Sequence, residues 1–127
     1  MPNAKTKVLI VDDDVSLRTS LSKLFDELGY SVRSAADGFA ALSEILRDTP
    51  DVLLSDLYMP GMSGFVLLSE VHQRFPSIGL VAMSGAFEGN VVPPGVIAAA
   101  FYAKGSDLTY LLRIVKAMDR APCTSFQ

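Results

Sequence analysis

The sequence predicts an α/β domain built on one parallel β-sheet with helices on both faces. Three observations predict it. The runs Val8–Val11, Val52–Ser55 and Ile78–Met83 are short, apolar and without strict alternation, as strands buried on both faces read. Segments with apolar residues at three- and four-residue spacing, the stripe of an amphipathic helix, follow these runs. Strand and helix patterns alternate along the chain, which makes βαβ units with right-handed crossovers.

The elements follow in order. After the strand Val8–Val11, Leu17, Leu21, Leu24, Phe25 and Leu28 form a helical stripe that Gly29 stops. Asp14 suits the N-cap of that helix. A brief strand around Tyr30–Ala35 comes next. Asp37 then caps a second helix carrying Phe39, Ala41, Leu42, Ile45 and Leu46, closed by Pro50. Val52–Ser55 is the third strand. Phe65, Leu68, Val71, His72 and Phe75 outline a third helix ending at Pro76, with His72 a partly exposed helix residue. Met59 and Met62 read as core filler framing the loop before it. Ile78–Met83 is the fourth strand. The stretch SGAFEGNVVPPGVIAAAFYAKG contains Pro93, Pro94 and several glycines, so a helix there is short or broken. Ala100–Ala103 is the fifth strand, and Asp107–Met118 a final helix with Leu108, Leu111, Leu112, Val115 and Met118 on one face. Residues 120–127 read as a disordered tail or an appended end, leaving one domain over 5–119.

Composition excludes some functions. The chain has 127 residues, half of them hydrophobic, with a formal charge of −3. No basic surplus or Lys/Arg cluster is available to neutralise phosphates, which argues against direct nucleic-acid binding. No apolar run approaches the roughly 18–20 residues of a membrane span. The lone Cys123 forms no internal disulfide and fits a reducing cytoplasm.

In open parallel sheets, functional residues gather beyond the carboxyl ends of the strands. The strand exits carry Asp12 and Asp13, then Asp56, Ser84 and Lys104. Crowded carboxylates raise one another's pKa unless something positive sits among them. Lys104 and a hard divalent cation shared by Asp12, Asp13 and Asp56 meet that need. Mg²⁺ suits best, since it takes one or two carboxylates plus waters and phosphate oxygens. A carboxylate beside Mg²⁺, a lysine and a hydroxyl is a competent phosphoryl acceptor. Asp56, alone on its strand, is the candidate nucleophile. Each residue has an ordinary alternative, as a cap, a turn residue or a surface charge; their joint order and spacing carry the functional reading.

The motifs VLIVDDD, LLSDLYMPGMSG, VAMSG and FYAKG, in this order and spacing, resemble the receiver domain of two-component response regulators over roughly residues 5–119. The resemblance implies a flavodoxin-like sheet of strand order 2-1-3-4-5. It implies phosphorylation of Asp56 by a sensor histidine kinase, a phosphotransfer protein or a small phosphodonor. Asp13 would ligate Mg²⁺ directly and Asp12 largely through water, with the backbone carbonyl of Tyr58 completing the protein ligands. Ser84 and Lys104 would contact phosphoryl oxygens, and Phe101 would stand at the switch aromatic. The state would be read by a downstream output domain or protein; a homodimer stays open.

Four departures from the family stand out. Gly105 replaces the usual proline after the lysine, implying a looser loop. Pro93–Pro94 interrupt the helix between the fourth and fifth strands. Tyr58 and Ala86 flank the path of hydrolytic water, which implies slow self-dephosphorylation. Phe101 lacks a hydroxyl. Two alternatives remain: a degenerate, phosphorylation-independent receiver acting as a protein-interaction module, and a Mg²⁺-dependent phosphatase with an Asp nucleophile. The latter needs a second acid near the nucleophile, where Tyr58 stands. No output domain follows the final helix, so the chain reads equally as a stand-alone receiver or as part of a larger regulator or hybrid kinase.

Overall fold

A computed structural model describes residues 5–86 and 91–118. The elements run β1 (Lys7–Val11), α1 (Val15–Glu27), β2 (Ser31–Ala35), α2 (Gly38–Arg47), β3 (Val52–Asp56), α3 (Gly64–Arg74), β4 (Gly79–Ser84), β5 (Ala100–Ala103) and α4 (Leu108–Ala117). The five strands are parallel in the order β2-β1-β3-β4-β5. This is the flavodoxin-like order that the motifs imply.

The pleat of the sheet sorts its residues into two cores. On one face Leu9, Val11, Leu53, Leu80, Ala82 and Phe101 meet Ala41 and Ile45 of α2 and Leu67, Leu68 and Val71 of α3. On the other, Val8, Ile10, Val52, Leu54, Val81 and Met83 meet Leu21 and Phe25 of α1 and Leu111, Ile114 and Val115 of α4. β1 and β3 lie inside the sheet with apolar residues on both faces, which is why their sequences do not alternate.

Local signals set the helix ends. The Asp14 carboxylate accepts from the N–H groups of Ser16 and Leu17, and that of Asp37 from Ala40 N–H. α1 stops in a Schellman arrangement: Gly29, at φ 96°, donates to Asp26 O and Tyr30 to Phe25 O. The rings of Phe25 and Tyr30 then pack edge to face, 5.4 Å apart.

The segment expected to hold a short or broken helix contains no helix among its described residues; 87–90 lie outside them. Instead Pro93–Val96 forms a β-turn closed by Val96 N–H to Pro93 O, with Gly95 at φ 82°. Two prolines in succession push Pro93 out of the helical region, and Pro-Gly at the turn centre suits a positive third-residue φ. Val96 joins the same core cluster as Phe101, and Val92 and Ala98 pack against that cluster. No described helix is long and apolar enough to cross a membrane. Asp119, the expected tail 120–127 and Cys123 lie outside the described residues.

Candidate functional site

Three strand exits build the site. β1 and β3 are neighbours in register, Val11 opposite Ser55, so Asp12 and Asp56 leave the sheet side by side. β5 lies one strand beyond β4 and delivers Lys104 over both. The Lys104 ammonium sits 2.9 Å from Asp12 Oδ2 and 3.0 Å from Asp56 Oδ2. It donates a hydrogen bond to Asp56, whereas Asp12 Oδ2 is within ion-pair distance but meets no aligned donor.

Asp12 is fully buried and Asp56 nearly so, while Asp13 is exposed. Asp12 Oδ1 accepts from Asp14 N–H at 2.9 Å, which ties the acid to the cap of α1. Asp56 Oδ1 accepts a long bond, 3.4 Å, from Tyr58 N–H. Burial pushes the Asp56 carboxyl above the ordinary carboxylate range; Lys104 opposes this and the Asp12 charge adds to it. Burial pulls Lys104 down, but its attraction to Asp12 and Asp56 outweighs that and leaves its pKa raised.

One ammonium shared by two carboxylates does not neutralise them. Counting Asp13, three carboxylates and one ammonium leave a formal −3 + 1 = −2. Carboxylate oxygens of Asp12, Asp13 and Asp56 lie within 4.8 Å of one another. Three converging oxygens of surplus charge −2, one of them buried without an aligned donor, fit a divalent cation that prefers oxygen ligands.

The other expected residues sit as follows. Ser84 ends β4, buried, with its Oγ accepting from Ala86 N–H at 3.0 Å. Phe101 lies opposite Ala82 in the β4–β5 register and is fully buried. Tyr58 is half-exposed, its ring edge-on to Phe65 at 5.6 Å. Gly105 takes φ 90°, which a proline ring cannot adopt. It is the third residue of a turn closed by Ser106 N–H to Ala103 O, and Tyr102 Oη donates to Ser106 O at 2.7 Å. Two hydrogen bonds thus span the loop carrying Lys104.

Three contributors escape a reading by strand exits. Arg18 donates to the Asp12 carbonyl at 2.7 Å, tying α1 to the chain leaving β1. Buried Ser55 donates its hydroxyl to Asp56 O. Gly64 N–H donates to Leu57 O, holding the start of α3 against the chain leaving β3. An arginine one turn past the Asp14 cap was a signal for the first; nothing in the local pattern marks Ser55.

Comparison with known proteins follows from this geometry. The response regulator receiver domain model matches residues 8–103. Sporulation initiation phosphotransferase F of Bacillus subtilis (strain 168) is 30% identical over 112 residues, covering 87% of this chain and 90% of that protein. The DNA-binding transcriptional regulator NtrC of Klebsiella pneumoniae is 41% identical over 75 residues, 59% of this chain. The match spans only 16% of that regulator's length. Among solved structures, chemotaxis protein CheY4 of Vibrio cholerae superposes with a TM-score of 0.79 at 28% identity, over 91% of this chain and 99% of that one. A response regulator described as putative from Chloroflexus aurantiacus J-10-fl gives 0.81 at 28% identity, over 91% and 98%.

Proposed function

The chain belongs to the response regulator receiver domain family, and from that premise we propose that it is a phosphorylation-controlled signalling module with Asp56 as phosphoacceptor. Receiver domains are signalling modules rather than turnover enzymes. The observation that carries the assignment is the Lys104 ammonium lying between Asp12 and Asp56 at 2.9 and 3.0 Å.

An Asp56 carboxylate oxygen attacks phosphorus on the donor, a phosphohistidine of a partner kinase or phosphotransfer protein. The new P–O bond forms as the P–N bond breaks, and the nitrogen that keeps the bonding pair takes up a proton from solvent to leave a neutral imidazole. Asp12, Asp13, Asp56 and the Tyr58 carbonyl would hold Mg²⁺, which supplies neutralisation of charge on the phosphoryl oxygens. Lys104 then pairs with one of those oxygens instead of the acceptor carboxylate. The Ser84 hydroxyl, whose oxygen already accepts from Ala86 N–H, keeps its own proton to donate to another. The product adds about 1.5–2 negative charges at the rim, and the contacts of Ser84 and the loop before Phe101 respond. Its reader is an output domain or a separate cytoplasmic partner. With a bulky ring at Tyr58, two residues past the acceptor, and no polar side chain at Ala86, two past Ser84, hydrolysis of the acyl phosphate is slow.

Incubation with acetyl phosphate and Mg²⁺ tests this reading. The expected result is a mass gain of one phosphoryl group that Asp56→Asn abolishes. No gain overturns it in favour of the phosphorylation-independent module, and a gain that survives Asp56→Asn overturns Asp56 as the acceptor.

A further inference from the structure

Lys104 leaves the sheet on a turn with little stiffness of its own. Gly105, which follows it, is the residue type with the widest backbone freedom, and the ammonium hangs on a long, flexible stem. Yet that ammonium stands between two carboxylates, 2.9 Å from Asp12 and 3.0 Å from Asp56. Where the backbone of the turn is held therefore decides where the charge is delivered.

On the near side, Lys104 N–H donates to Ser84 O at 3.0 Å, which ties the residue to the end of β4. On the far side two successive peptide groups are held. Ser106 N–H donates to Ala103 O at 3.0 Å and closes the turn with backbone alone. The next carbonyl, Ser106 O, accepts from Tyr102 Oη at 2.7 Å. Gly105 is thus a free joint enclosed between held ends.

The Tyr102 bond differs in kind from the other two, because a side chain anchored in the core makes it. Tyr102 is 4% exposed and belongs to the core cluster that includes Met83, Leu111 and Ile114. Its ring is a fixed post under the turn, and its hydroxyl holds the peptide just before Asp107, the N-cap of α4. A buried hydroxyl that loses its partner is costly, so the bond resists release. Burial and the Asp107 charge raise the phenol pKa, which keeps the donated proton in place.

We propose that Tyr102 is a positioning residue for phosphoryl acceptance: by holding Ser106 O it fixes the turn around Gly105 and so aims the Lys104 ammonium at the acceptor carboxylate. The inference rests on the reading of Asp56 as phosphoacceptor and adds to it the side chain that directs the lysine. Tyr102 acts through Lys104 alone.

The test follows acetyl phosphate with Mg²⁺ in the full 127-residue chain as parent, Tyr102→Phe, Lys104→Ala and the double variant. Tyr102→Phe should slow the parent about fivefold, the weight of one neutral hydrogen bond, and should slow Lys104→Ala no further. Ser106→Ala, which keeps the carbonyl, should match the parent. Calorimetry should find the Mg²⁺ affinity of Tyr102→Phe unchanged, because Asp12, Asp13 and Asp56 keep their places. The ε-proton resonances of Lys104 should be distinct in the parent, where the ammonium is held, and merge in Tyr102→Phe, where it averages. Equal rates for parent and Tyr102→Phe, or the same slowing in the Lys104→Ala background, overturn the proposal. Lost Mg²⁺ affinity in Tyr102→Phe assigns the effect to general damage and overturns it equally. If the parent accepts no phosphoryl group, the phosphoacceptor reading fails separately; then, or where Lys104→Ala is too slow to compare, the Lys104 resonances decide. Merged resonances in the parent, or distinct ones that persist in Tyr102→Phe, overturn the proposal.

Discussion

Replacing Gly64 by alanine separates two opposing effects. Within a helix, glycine is worth roughly 0.5–1 kcal/mol less than alanine, so propensity alone makes Gly64→Ala stabilising. The packing says the reverse. A methyl group on Gly64 would collide with the Asp56 carbonyl oxygen and stand 2.7 Å from Leu57 Cα and 2.8 Å from the Asp56 carbonyl carbon. Carbon atoms settle at about 3.5–4.0 Å, so the start of α3 and the chain after β3 must part by about 1 Å. All three obstacles are backbone, and no rotamer relieves them. Overpacking of this kind costs about 1–3 kcal/mol and occasionally more; a backbone wall places it at the upper end. The expected net loss is about 2–3 kcal/mol, or a melting temperature lower by roughly 10 °C for a domain of this length. Urea unfolding should show a lower midpoint with an unchanged m-value. Because the displaced atoms belong to Asp56 and its neighbour, phosphorylation by acetyl phosphate should also slow. A Gly64→Ala protein as stable as its parent would refute the reasoning. Gly105→Ala is the control: open space surrounds that position, and only its φ of 90° opposes a side chain, at about 1–2 kcal/mol.

Asp56→Asn should melt higher than the parent at neutral pH without Mg²⁺, since the raised carboxyl pKa means ionisation costs the folded state more than the unfolded one. That advantage is full above the folded pKa and closes as pH falls below about 4, where both states are protonated; a constant gap across a pH series of melts would contradict it. Mg²⁺ should stabilise the parent by about 2.7 kcal/mol at a hundred times its dissociation constant, and calorimetry of Asp13→Ala should show most of that gain gone. Tyr102→Phe should lose about 1 kcal/mol and accept phosphate more slowly, because the loop carrying Lys104 loses the side-chain bond to Ser106 O; unchanged kinetics would disconnect that bond from the site. The phosphoryl group on purified protein should persist for minutes or longer, and decay within seconds would exclude a shielding role for Tyr58 and Ala86.

The sheet was legible because burial on both faces leaves a plain signature. β1 and β3 read as unbroken apolar runs, and the carboxyl ends of these strands pointed to Asp12 and Asp56. β2, an edge strand whose burial is partial, has a sequence, SVRSA, that says little by itself. The segment before β5 was legible only as a broken helix, since prolines forbid a helix without specifying the Pro93–Val96 turn. Side-chain direction was out of reach. That Ser84 turns to Ala86, that Arg18 returns to the Asp12 carbonyl, and that Gly105 needs a positive φ all depend on the path of the chain in space. The role of Gly64 was hidden for the same reason: its constraint comes from Asp56 and Leu57, brought against it by the turn between β3 and α3.

A crystal structure grown with Mg²⁺ and beryllofluoride tests the phosphoacceptor assignment most directly. The account predicts beryllium bonded to an Asp56 carboxylate oxygen, Mg²⁺ among Asp12, Asp13 and Asp56, and the Lys104 ammonium moved from the acceptor carboxylate to a fluoride. Beryllofluoride on any other residue, or Lys104 still bridging Asp12 and Asp56 beside a bound adduct, would contradict it.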